Sequence, residues 1–340
     1  MLFPPTIAGS LPKPGWLAET EKLWPKWKLE AEELDSAKRD AALIWIKEQE
    51  DAGIETVSDG EQFRTHFVHG FLETVEGIDW TLMSKMGIRN NRYEADVPTV
   101  TGKLRRSGPV HGDPAAFCRR HTQKRLKFTL PGPMTICDTL ADTHYGRRAD
   151  MAMAFAEILN EEALELEAAG VDVIQFDEPA FNVFMAEVTD WGIAALERAA
   201  RGLRCATAVH ICYGYGIEAN LKWKETLGSE WRQYEAIFPA INASSIRQVS
   251  LECANSRVPI SLISLLPDKE LLVGVIDVAS NLVETPEQVA ATIGEALGYA
   301  DAERIQPCTN CGMAPLSRDV AAGKLRALGA GSALARNLQP

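Results

Sequence analysis

Helical stretches and short apolar runs alternate along this chain, and that alternation narrows the possible folds more than any other feature. Residues 32–52 carry Leu34, Ala37, Ala41 and Ile44 at helical spacing and stop at Gly53, a residue suited to a helix C-terminus. A short apolar run, 54–58, follows. The same order returns at 149–169, Gly170 and 171–176. It returns again after Thr285, where Pro286 and Gln288 predict a capping box ahead of Val289, Ile293 and Leu297. Eight runs in all read as strands: 6–9, 54–58, 127–130, 171–176, 206–211, 248–251, 271–276 and 304–307. Runs apolar on both faces, separated by helices, imply parallel strands covered by those helices. Eight of them predict an α/β fold, a closed (β/α)8 TIM barrel, as a single domain over 1–340, with an open doubly wound sheet as the alternative.

Two connections are too long for a βα unit of about 30 residues. The first predicts an inserted arm at about 66–120, in which 93–104 reads as extended structure leading into Arg105 and Arg106. The second predicts a helical excursion at about 214–246, with 223–238 read as helical. Both leave the C-terminal end of a strand.

Charge decides the class of partner. Thirty-five Lys and Arg stand against 47 Asp and Glu, a formal charge of −12, which repels polyphosphate and argues against nucleic acid or an anionic membrane. No apolar stretch approaches the roughly 18 residues of a bilayer span, and the opening MLFPPTIAGSLPKP lacks the apolar core of a secretory signal. A cytoplasmic location is expected. Seven cysteines, an odd number in such a chain, point to thiols or metal ligands sooner than to disulfides.

Polar groups follow the runs. Asp59 and Glu61 come after the second run, Asp177 and Glu178 after the fourth, His210 and Cys212 at the fifth. Glu252 and Cys253 end the sixth, Asp277 the seventh, and Cys308 and Cys311 the eighth. In a parallel barrel these positions share one rim, where such barrels build their active sites. His210 and Cys212, two apart on a strand, point to one face, as a joint metal grip requires; a buried histidine beside an inert thiol is the plainer alternative. Cys308 and Cys311 are open between a redox pair, a metal half-site and coincidence, and Glu252 between a ligand and a carboxylate satisfied by solvent or a lysine. Taken together, one imidazole, two thiols and a carboxylate suit tetrahedral Zn2+. With two thiolates and a carboxylate the centre is electron-rich, poor at acidifying water but able to hold a substrate thiol as a nucleophilic thiolate, so thiol alkylation is expected.

The run Ile7-Ala8-Gly9-Ser10-Leu11-Pro12, with Asp59-Gly60-Glu61, Leu130-Pro131-Gly132-Pro133-Met134-Thr135, Asp177-Glu178-Pro179-Ala180, His210-Ile211-Cys212-Tyr213, Asp277-Val278 and Asn310-Cys311-Gly312-Met313, resembles the cobalamin-independent methionine synthase family. The likeness is to its C-terminal catalytic barrel, in the short, core-only branch. The resemblance implies a zinc-dependent S-methyltransferase that makes methionine from homocysteine. It implies His210, Cys212, Glu252 and Cys311 as zinc ligands, with Cys308 left over. It places the backbone of Ser10 at the substrate carboxylate and Glu61 and Asp177 at its ammonium group. The methyl donor is then 5-methyltetrahydrofolate or a methyl-corrinoid protein, with an accessory protein as a possible partner. Two departures stand out. Ile136-Cys137-Asp138 replaces the family's folate-stacking tryptophan, and Ala279 replaces a proton-donating histidine, so the acid is expected to be Asp277 through water, with another residue or a different methyl donor as the alternatives. A coenzyme M type thiol alkyltransferase and a catalytically silent zinc or amino-acid binding protein are the alternatives.

Overall fold

The computed structural model describes residues 1–215 and 217–338. Its strands are β1 (Thr56–Ser58), β2 (Val75–Ile88), β3 (Tyr93–Arg106), β4 (Arg125–Pro131), β5 (Ala141–Asp142), β6 (Val173–Asp177), β7 (Ala206–Ile211), β8 (Gln248–Glu252), β9 (Glu270–Ile276) and β10 (Ile305–Thr309). Seven of them form one parallel sheet in the order β1-β4-β6-β7-β8-β9-β10. The order follows the chain without turning back. A doubly wound sheet reverses at a switch point, so that alternative is excluded.

Seven of the eight expected runs are strands of this sheet. The remaining run, 6–9, holds the two outer strands together. Thr6 bridges Thr56 of β1 in parallel, while its backbone N–H donates to Pro307 O of β10 at 2.9 Å and Ala8 N–H donates to the Thr309 hydroxyl at 2.9 Å. One short segment can bond both outer strands only if the sheet is curled. The result is a TIM-like α/β architecture with a mostly parallel, curled sheet.

Helices cover the sheet where the apolar spacing places them. Ala31–Asp51 buries Ala37, Ala41, Ala42, Trp45 and Ile46. Its Gln49 amide donates to Ser58 O at 2.8 Å and accepts from Ser58 N–H at 3.0 Å. This pairing substitutes for a strand neighbour at the end of β1, where the backbone would otherwise go unsatisfied. The helix Pro286–Ala296 begins with the expected capping box, the Thr285 side chain accepting from Gln288 N–H and Gln288 Oε1 accepting from Thr285 N–H. Thr285→Ala should therefore lower the unfolding free energy by about 1 kcal/mol, read from the urea midpoint at unchanged m-value.

The first insertion is an antiparallel hairpin of β2 and β3, each 14 residues long, extended by β5. Arg106, at the end of β3, anchors it to the helix Arg148–Ala168: Nε donates to Glu162 Oε2 at 3.0 Å and Nη1 to Glu165 Oε1 at 2.9 Å. After the hairpin, helix Gly112–Arg120 returns to the sheet and buries Ala115 and Cys118 in the main core. The second insertion is helical, as expected. Two helices form, Glu218–Glu225 and Tyr234–Ala243. Gly228 between them takes φ +80°, a left-handed conformation incompatible with a continuing helix, and Trp231 N–H donates to Arg257 O at 2.8 Å instead of to a preceding turn.

Candidate active site

Parallel register brings β6 and β7 together so that Asp177 lies opposite His210. From the end of β7 and the loop after β10, His210, Cys212 and Cys311 converge, each offering a ligand atom within 4.8 Å of the others. The Cys212 and Cys311 sulfurs are 3.3 Å apart. His210 Nδ1 pairs with the Ser250 hydroxyl at 2.8 Å, while Nε2 is buried without a hydrogen-bond partner. An orphaned imidazole nitrogen facing two thiols is costly in a protein interior. As a donor set it fits a borderline-soft cation, with Ser250 fixing the ring from behind. The Cys311 thiol bonded to Cys212, with His210 beside it, holds Cys212 well below the ordinary thiol range against the opposing effect of burial. These three residues form a group able to hold a metal ion.

The fourth expected ligand is not part of that cluster. Glu252, the last residue of β8, is fully buried with Oε1 unpartnered by a hydrogen bond. Its nearest cation is the buried Lys224, 3.8 Å from Oε1, and Oε2 accepts from Tyr213 N–H at 3.4 Å. Burial pushes its pKa up to about 7, opposed by Lys224. Lys224 also lies over the Tyr215 ring, 3.6 Å from its centroid. Nothing in the local sequence of 218–225 marks this lysine as an inward one.

A cavity of about 360 Å³ opens onto the thiols and is lined by Ser10, Glu61, Asp177, His210, Cys212 and Cys311 among others. All three expected substrate contacts are therefore on one wall system. Asp177 accepts from Gln175 Nε2 at 2.8 Å, and burial pushes its pKa up to about 7. Glu61 is already engaged. Its Oε1 is 3.2 Å from Arg64 Nη2 and accepts from the Thr129 hydroxyl at 3.0 Å. Lys13, whose Nζ donates to Glu61 O at 2.8 Å, carries no sequence signal for this place. The turn that presents Glu61 is left-handed at both Gly60 (φ +62°) and Glu61 (φ +59°), and Gly60 lies so close to Leu11 that an added Cβ would meet its side chain at 3.0 Å. Ser10 O accepts from Met313 N–H at 2.7 Å, which ties the Ser10 segment to the loop carrying Cys311.

Behind this wall Asp59 accepts from Glu61 N–H at 3.0 Å, and burial raises its pKa from 3.8 to about 6. A carboxyl whose pKa is raised by folding binds its proton more tightly in the folded state. Stability therefore falls as pH climbs from 3.8 to about 6, and the full penalty is present above that window. Asp59→Asn keeps the acceptor and removes the charge. It should stabilise the protein at pH 8 by up to about 3 kcal/mol, with the gain vanishing below the window, as measured by urea unfolding at several pH values.

Asp277 and Cys308 both stand outside the group of His210, Cys212 and Cys311, Cys308 as the resemblance implies. Asp277 does not line the cavity; Oδ1 accepts from Ala279 N–H at 2.8 Å and Oδ2 from Asn255 Nδ2 at 3.4 Å, so its carboxylate serves its own loop. Cys308 is buried inside the sheet in a small apolar cluster with Ala8, Val173, Ala206, Ala208 and Leu272, apart from the two paired thiols. Asp138, standing where a stacking tryptophan was expected to be lost, forms a buried ion pair with Arg89 of the cavity wall. Elsewhere on the wall Trp24 stacks on His66 at 4.8 Å and His66 on His69 at 4.4 Å, an aromatic face that no local motif announces.

The sequence model of the family described as "Cobalamin-independent synthase, Catalytic domain" matches residues 3–330. The chain belongs to that family. It is a methyltransferase of the cobalamin-independent methionine synthase type. Among its relatives, the methionine synthase of Sulfolobus acidocaldarius is 30% identical over 327 residues, covering 95% of this chain and 89% of that protein. That of Sulfurisphaera tokodaii is 30% identical over 337 residues, covering 98% and 93%. Among solved structures, a B12-independent methionine synthase from Shewanella sp. W3-18-1 in complex with selenomethionine superposes with a TM-score of 0.96 at 56% identity, covering 99% of this chain and 98% of that one. A putative family member from Listeria monocytogenes shares the fold at 16% identity, with a TM-score of 0.74. No helix among the described residues of this methionine synthase domain is long and apolar enough to cross a membrane.

Proposed function

We propose that this chain is a zinc-dependent, cytoplasmic S-methyltransferase that forms methionine from homocysteine in the cavity beside Cys212 and Cys311. The observation that carries the reading is the convergence of three soft ligand atoms, one of them an orphaned imidazole nitrogen, at the end of a cavity that also holds buried acids. His210, Cys212 and Cys311 hold the zinc in this reading, with Glu252 as the hardest and most replaceable fourth ligand. When bound, zinc lowers the pKa of a substrate thiol and keeps its sulfur nucleophilic at neutral pH. The 6–9 segment, bonded to both outer strands, is read as the eighth stave of a closed barrel.

The chain's own groups do the positioning. An α-ammonium pairs with Asp177 and with the Glu61 oxygen turned from Arg64, and burial makes both contacts strong. The carboxylate lies at the Ser10 backbone. The Shewanella protein is a complex with selenomethionine, a product analogue with the same amino-acid head, which supports an amino-acid substrate. The hairpin tip helps to roof the cavity, Arg92 packing its guanidinium 3.1 Å above the centroid of the Trp223 ring from the second insertion. With Asp277 outside the cavity, a proton for the leaving group comes from another group or from water. The donor is a methylfolate or a methyl-corrinoid, and an accessory protein is not required by the reading.

Incubating the zinc-loaded protein with homocysteine and, separately, 5-methyltetrahydrofolate and methylcobalamin tests it. Methionine formation with either is the expected result. Tight zinc binding and methionine binding without turnover under any donor would favour the silent binding protein instead.

A further inference from the structure

A buried lysine lies inside the sheet with no part in the proposed chemistry. Lys127, on β4, is 1% exposed. Its Nζ donates to Ile7 O and, at 3.1 Å, to Gln175 Oε1. Gln175, on β6 and fully buried, donates from Nε2 to Ala8 O and, at 2.8 Å, to Asp177 Oδ1. Burying an ammonium ion away from water is expensive, and here the cost is met by two oxygens without a carboxylate in hydrogen-bond contact. Strand periodicity explains the alignment: Gln175 and Asp177 share one face of β6, as Lys127 and Thr129 share one face of β4, and Thr129 supports Glu61.

The chemistry of the three groups allows only one arrangement. An ammonium group can only donate hydrogen bonds, and an ionised carboxylate can only accept them. A glutamine amide between them must turn its oxygen to the lysine and its nitrogen to the aspartate. The flipped amide would set oxygen against oxygen and N–H against N–H. Lys127 thus fixes the sense of Gln175, and Gln175 fixes the rotamer of Asp177. The same two side chains grip the carbonyls of Ile7 and Ala8, three and two residues before Ser10.

We propose that Lys127 and Gln175 are positioning residues for the substrate's α-ammonium group, a buried ammonium–amide relay that aims Asp177 at it. The inference rests on Asp177 being the ammonium site.

The test is calorimetric binding of methionine and of its desamino analogue to the full chain, for the wild type and for Gln175→Leu, Lys127→Met and Asp177→Asn, with melting temperature and metal content recorded for each. Gln175→Leu and Lys127→Met should weaken methionine about tenfold or more, the worth of a hydrogen bond to a charged group, yet leave the analogue, which has no ammonium, within about twofold. A purely structural role would weaken both ligands alike. Equal loss for both ligands, or unchanged methionine affinity in Gln175→Leu, would overturn the relay. If Lys127→Met does not fold, Gln175→Leu, which buries no new charge, decides alone. Failure of the underlying reading shows separately: Asp177→Asn would then bind methionine as tightly as the wild type, and the ammonium site and its relay fall together.

Discussion

Cys212→Ser and Cys311→Ser should each lose bound metal and methyl transfer together, with metal affinity falling at least about 100-fold, while Cys308→Ser keeps both. The two paired sulfurs lie 3.3 Å apart beside an imidazole nitrogen with no other partner. Cys308 sits in an apolar cluster on the inner side of the sheet, where burial holds its thiol above the ordinary range. Serine offers a harder oxygen with a far higher pKa, so each replacement takes away one anionic soft donor. Metal-to-protein ratio after dialysis, measured beside turnover, is the check. Equal loss in all three variants would mean that the last strand contributes its ligand differently; full metal retention in Cys212→Ser would remove the centre altogether.

Asp177→Asn should raise the KM for homocysteine by about 100-fold with unchanged metal content, because truncating one side of a buried charge pair typically costs several kcal/mol. The contrast is largest near pH 8, where the wild-type carboxyl, raised to about 7 by burial, is ionised. Glu61→Gln should do less, since Arg64 and Thr129 already neutralise one of its oxygens. Steady-state kinetics at fixed donor separate KM from kcat. A KM within about twofold of wild type would show that the ammonium lies elsewhere, a change too small for a lost charge contact.

Much of this architecture is readable in the residues themselves. The runs at 206–211 and 271–276 match β7 and, within a residue, β9, because apolar runs bounded by turn residues report a local conformational preference. The capping box at Thr285 forms as its spacing requires. His210 and Cys212 share a face because side chains on a strand alternate with period two. The break between Glu218–Glu225 and Tyr234–Ala243 was harder to see, since a single Gly228 within a helical pattern is locally tolerable and only the packing of Trp231 makes the interruption pay.

The site divides in the same way. Cys308-x-x-Cys311 was ambiguous by spacing; the strand ends at Thr309, so Cys308 is held inside the sheet and Cys311 is carried by the loop to Cys212. Lys127 and Lys224 carry no inward signal, because a lysine is buried only where distant oxygens or rings receive it, and those partners lie on other elements. Asp277, expected to stand in for the family histidine that Ala279 replaces, has its carboxylate captured by the Ala279 backbone within its own turn.

Sequence alone determined the parallel strands, where along the chain they run and the ends on which imidazole, thiol and acid are presented, since caps, turns and two-residue alternation act over a few neighbouring positions. Tertiary structure alone decided that Glu252 stands beside Lys224, that the carboxylate of Asp277 is taken up by Ala279 and Asn255 and that Gln175 turns Asp177. Those outcomes depend on distances between residues far apart in the chain, set only when the sheet curls and its outer strands meet at Thr6.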